Sequence, residues 1–142
     1  MSCNFNELIE LRNKFEQAVE DVPKLQQEIV EEIANEFLED VKKRTPKTET
    51  NKLANSWKKR IVSTGSNYVV EVYNDCEYSK YVEYGKRIGD SGWQNGKFMM
   101  TITKNMIEQR MDKIAQSKLD NFLKGVFEWK YFSIIQPVVI ML

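Results

Sequence analysis

Between Arg44 and Gly85 the apolar period of this chain changes twice, from helical to alternating and back, which imposes a mixed fold. Upstream, Ile29, Val30, Ile33, Ala34, Phe37, Leu38 and Val41 form a broad helical stripe from Leu25 to about Arg44. Lys42, Lys43 and Arg44 fall in its last turn, where they complement the helix dipole. Thr45-Pro46 ends the helix, because the residue before a proline is pushed out of the α region. Leu53 to Trp57 reads either as a helical turn or as the beginning of a strand. Two β-rich runs, Trp57–Ser63 and Tyr68–Tyr73, then flank Thr64-Gly65-Ser66-Asn67, a hairpin signal. The second run puts Tyr68, Val70 and Val72 on one face and Val69, Glu71 and Tyr73 on the other, which predicts a sheet covered on one side and partly occupied on the second. Helical spacing returns at Tyr78-Tyr81-Val82 and stops at Gly85.

The flanking segments extend this pattern. Residues 5–22 place Leu8, Leu11, Phe15, Ala18, Val19 and Val22 at helical spacing, and Asn4 with Glu7 resembles a capping box. Pro23 predicts a break here, as the first residue of a second helix. Residues 85–97 carry Gly85, Gly89, Gly92 and Gly96 and read as a mobile loop. Its lone aromatic, Trp93, is either a lid on the core or an anchor for a partner. From Phe98 onward, Ile102, Met106, Met111, Ile114, Ala115, Leu119 and Phe122 predict one buried helix face, running to about Lys124 with Gly125 as a cap.

The fold class expected is therefore α+β: N-terminal helices and a long helix in the C-terminal half, packed on a small antiparallel sheet in a single domain over residues 1–126. Residues 127–142 stand apart as an apolar C-terminal strand or arm. Trp129, Phe132, Ile134, Val138 and Leu142 belong there, and either close the domain's own sheet or add to a neighbouring subunit.

Formal charge is zero over 142 residues, which argues against a dedicated nucleic-acid binder, yet it is unevenly spread. Residues 1–41 hold eleven Asp/Glu against three Lys/Arg, a net of −8, and residues 42–60 hold eight Lys/Arg against Glu49, a net of +7. Such a layout suits head-to-tail contact between copies, with Lys58, Lys59 and Arg60 as interface candidates. Two solvated helix faces, or a small DNA-binding regulatory protein using the 42–60 patch, are the other readings. Histidine is absent, which removes the commonest general base and transition-metal ligand. Cys3 and Cys76 form neither a zinc motif nor a disulfide framework, and a reducing compartment fits them best. The first residues lack a signal-peptide layout, and no window of about 20 apolar residues offers a membrane span. Neither a cofactor nor a metal is expected. The residue most like a catalytic carboxylate is Glu83, and without a partner base it is expected to pair instead with a basic group among Lys58, Lys59, Arg60, Lys86 and Arg87.

Two short patterns flank the hairpin in order. Thr45, Pro46, Thr50, Leu53 and Ser56 fill the first; Tyr78, Tyr81, Val82, Glu83, Tyr84 and Gly85 fill the second, with Phe98 opening the helix that follows. Together they resemble the gene-product-ten-like tail-component family of tailed phages. Asn51 stands where that family has Gly, and Ser79 where it has Ala; Asn is the non-Gly residue best suited to a left-handed turn. The resemblance implies a non-enzymatic subunit, assembled in the bacterial cytoplasm into a virion or phage-tail-like particle. It further implies a ring, typically a hexamer, which contacts tail tube or sheath proteins and neck or connector proteins, with DNA only as passing cargo and no membrane. Tail completion or head–tail joining is the expected role, with a tail terminator as the alternative.

Overall fold

The computed structural model describes residues 5–126; the expectations placed on Cys3, Asn4 and the 127–142 arm lie outside them. Eight elements follow one another: α1 (Phe5–Arg44), α2 (Lys52–Asn55), β1 (Trp57–Thr64), β2 (Asn67–Asn74), α3 (Ser79–Tyr84), β3 (Gly85–Ile88), β4 (Gly92–Asn95) and α4 (Met99–Val126). The fold is α+β. No helix among the described residues is long and apolar enough to cross a membrane.

The described residues divide into two compact units, one of residues 5–29 with 115–126 and one of residues 30–114. In the first, Leu11 and Leu25 are buried and Ala18 is half-buried, at heptad spacing along α1. On α4 within this unit, Ala115, Phe122 and Val126 are half-buried. A cleft of 190 Å³ in this unit is lined by Asp21, Leu25, Glu28 and Phe122, among others.

The second unit holds the core. Val41, Leu53, Trp57, Cys76 and Met99 form its buried cluster, with Phe37, Leu38, Val72, Val82 and Met100 packed around it. Residues from α1, α2, β1, the segment after β2 and the start of α4 thus meet at one point. Burying each large aliphatic side chain there contributes about 2 kcal/mol. Strands β1 and β2 pair antiparallel from Trp57↔Asn74 to Thr64↔Asn67. The turn is only two residues, Gly65-Ser66, with Gly65 at φ 64, as a type II′ hairpin requires. Half-buried Tyr68, Val70 and Val72 lie on the core side, whereas Val69 and Tyr73 are exposed, as the alternation predicts.

Three expectations are corrected. Pro23 does not break the helix, since α1 runs unbroken through it. Pro23 and Val19 are both exposed, so the Val19 carbonyl that loses its intrahelical donor can turn to water. Residues 85–97 are not a loop but mostly a second hairpin, in which Gly85↔Asn95, Lys86↔Gln94, Arg87↔Trp93 and Ile88↔Gly92 pair. Three of its glycines, Gly85, Gly92 and Gly96, serve close approach: a Cβ on Gly96 would collide with the Glu83 carbonyl and the Tyr84 backbone. Finally, the buried face of α4 is Met99, Thr103, Ile107 and Ile114, while Ile102, Met106, Met111 and Leu119 are exposed. Thr103 enters the interior because its hydroxyl donates to the Met99 carbonyl one turn back, at 2.6 Å.

Candidate functional site

The two sequence patterns converge on the core of the second unit, and each mixes residues that brace the interior with residues left outside. In the first, Thr45 is buried just past the end of α1. Its hydroxyl donates to the Val41 carbonyl at 2.7 Å and accepts from the Trp57 indole Nε1 at 2.7 Å. One hydroxyl thereby closes the helix and satisfies a buried tryptophan. Asn51 adopts the left-handed conformation, φ 49 and ψ 26, and its N–H donates to the Thr48 carbonyl and hydroxyl. The tolerance of Asn for this region is what preserves the turn in the absence of Gly. Leu53, 2% exposed, drops into the core, and its carbonyl accepts from the Asn74 amide at 2.8 Å. The Ser56 hydroxyl donates to the Lys52 carbonyl. Pro46 is half-buried and Thr50 is exposed.

In the second pattern Glu83 is 6% exposed, and its role differs from the ion pair expected. Its carboxylate accepts the backbone N–H of Met100 and of Thr101, both at 2.9 Å, and the Thr101 hydroxyl at 2.7 Å. Those amides open α4, and Phe98 just before it, at φ 50, has no side-chain oxygen to cap them. Glu83 is a cap supplied from another element, with a charge suited to the positive end of the helix. Lys97 and Phe98 donate their N–H groups to the carbonyls of Val82 and Glu83 at 2.7 and 3.0 Å, fixing the same junction. Gly85 ends α3 at φ 92 and ψ 172, a conformation essentially restricted to glycine.

The three tyrosines of this pattern face outward, whereas Val82 packs against the core. Tyr78, Tyr81 and Tyr84 are all exposed, and Tyr84 meets Phe98 edge to face at 6.4 Å. Hydrogen bonding with the buried Cys76, and secondarily desolvation, raise the Tyr78 phenol above its ordinary pKa. Trp93 is not a lid on the core: it stands 62% exposed on β4.

Half of the basic patch is answered within the chain, chiefly at its strand end. Lys58 pairs with Asp75, which through its hydrogen bond and then its charge raises the lysine's pKa. Lys59 lies 3.5 Å from Glu31 and also reaches Asn35, and Arg60 donates through Nε to Glu71 at 2.7 Å. The tryptophan of this region, Trp57, is buried and cannot stack on a base. Among the described residues no group of three His, Cys, Asp or Glu could hold a metal ion. Trp129, Phe132, Ile134, Val138 and Leu142 lie outside the described residues. Sequence reading overlooked Thr48, Asn74 and Thr103. Asn74 was detectable, since an Asn at a strand end readily bonds the backbone two residues on, as it does to the Cys76 N–H at 2.8 Å.

Residues 9–85 match a family model described as "Bacteriophage HK97-gp10, putative tail-component". The match contains both sequence patterns and ends at Gly85, before Phe98 and α4. Comparison with curated proteins and with solved structures returned no match.

Proposed function

This chain belongs to the bacteriophage HK97 gp10-like family of tail components, and we propose that it is a structural subunit at the head-proximal end of the tail, where it completes the tail and joins it to the connector. The observation that carries this reading is the family match across more than half of the chain, with both patterns contributing residues that brace one core. Glu83, the one carboxylate with a catalytic look, has both oxygens engaged in capping α4, so it is a fixed structural acceptor. The work is geometric and non-enzymatic. Copies form a ring, a hexamer by analogy with the family, which seats on the tail tube below and offers a surface to the neck proteins above. The protein is a virion component, or part of a phage-tail-like particle, assembled in the host cytoplasm, and DNA passes it only as cargo.

The DNA-binding reading loses part of its support, because Lys58, Lys59 and Arg60 each have an acidic partner in the same chain. Electron microscopy of particles from a producer with this gene disrupted tests the proposal. Normal-length tails without heads or collars are expected. Tails of irregular, excessive length would instead assign a terminator role, and intact, active particles would refute the reading.

A further inference from the structure

We propose that the cleft beneath Trp93 docks α1 of a second copy of this chain; this rests on the ring reading and names its contact. Two contiguous clefts, of 590 and 290 Å³, share Tyr81 and Lys86 as lining residues. Trp93 and Arg87 border the first, and Lys97 the second. Every charged residue lining them is cationic: Lys86, Arg87 and Lys97. A fourth cation, Lys80, sits with its ammonium 5.2 Å from the centre of the Tyr81 ring. None of these four is in an ion pair among the described residues, unlike Lys58, Lys59 and Arg60.

The cleft is also built to stay open. Trp93 lies against Gly85, where a Cβ would stand 3.0 Å from its ring, and Gly85 and Trp93 share one face of the β3–β4 ladder. The glycine contacts and the Lys97 and Phe98 backbone bonds hold that ladder to α3. An exposed Trp and Tyr on a rigid support, rimmed by Lys and Arg, is the composition of an interface centre.

Its occupant must offer carboxylates beside a small apolar surface. The chain carries that surface itself. Residues 1–41 have a net charge of −8, and Glu16, Val19 and Glu20 share one face of α1 with Val19 70% exposed; Glu16 also lies 3.9 Å from Arg12 one turn earlier, an exposed pair that leaves its carboxylate accessible. Val19 fits against Trp93 and Tyr81, while Glu16 and Glu20 face Lys86 and Arg87. The contact is head-to-tail, since cleft and helix are different surfaces, and a head-to-tail contact that closes makes a ring. Single-stranded DNA is the other partner an aromatic, cationic cleft could take, but the acidic surface for the cleft is already present in every copy.

Sedimentation of the purified full chain, with circular dichroism to confirm folding, tests this through two variants. K86E/R87E reverses the cleft and E16K/E20K reverses the helix. Each alone is expected to weaken self-association by at least about 100-fold, because like charges then face each other. Mixing the two variants is expected to restore assembly, because each reversed cleft then meets a reversed helix. Variants that each still assemble like the wild type, or that fail to rescue each other, would overturn the docking while leaving the ring reading intact. A wild-type chain that stays monomeric would overturn both. Binding of a fluorescent single-stranded oligonucleotide, lost in Trp93→Ala with self-association unchanged, would assign the cleft to nucleic acid instead.

Discussion

Replacing Glu83 should loosen the joint between α3 and α4 more than any surface change in the chain. In Glu83→Ala the N–H groups of Met100 and Thr101 lose their acceptors, and the Thr101 hydroxyl loses a third contact. An unsatisfied buried donor costs about 1–3 kcal/mol. These amides are only part-buried, so water recovers some of the loss, and about 2–4 kcal/mol is expected in total. Glu83→Gln keeps one acceptor oxygen but turns an NH₂ toward the other N–H, so about 1–2 kcal/mol is expected. Equilibrium urea unfolding of wild type, Glu83→Gln and Glu83→Ala reads the series directly, and the midpoint should fall in that order at constant m-value. Glu83→Ala within about 0.5 kcal/mol of wild type, the range of an ordinary surface substitution, would refute the cap as the reason this carboxylate is buried.

Other outcomes follow from the same contacts. Thr45→Val should cost about 1–3 kcal/mol by orphaning the Trp57 indole N–H, with Thr45→Ser far milder, again by urea unfolding. Gly85→Ala should cost about 3 kcal/mol, combining backbone strain at φ 92 with collision against Gln94 and Gly96, whereas Gly65→Ala, with open space around it, should cost about 1 kcal/mol. Lys58 should titrate above an ordinary lysine by NMR and return to the ordinary value in Asp75→Asn. Because its folded pKa is raised, its stabilisation is complete below about pH 10.4 and is lost as pH rises through the raised value.

What could be read from the sequence was what local chemistry decides. The β1–β2 hairpin follows from alternation and a Gly-containing turn, the α3 turn from the 78/81/82 spacing, and the left-handed Asn51 from its fitness for that backbone. What escaped depends on partners distant in sequence. The face of α4 is set where Glu83, seventeen residues earlier, grips the Met100 amide, which sends Met99 and Thr103 inward instead of Ile102 and Met106. Glycines 85, 92 and 96 resembled loop composition because the backbone they approach cannot be read from their neighbours. Pro23 misled for a related reason: propensity forbids it in a helix interior, but exposure on α1 makes the loss tolerable. Glu83 itself carried a signal of importance, with its role hidden until α4 is in place.

Position within the particle is the central claim. Gold-labelled antibody against this chain, applied to intact particles and viewed by electron microscopy, locates it directly. One cluster of label at the head-proximal end of each tail is the predicted result. Label along the tube, at the distal tip, or absent from the particle would contradict it.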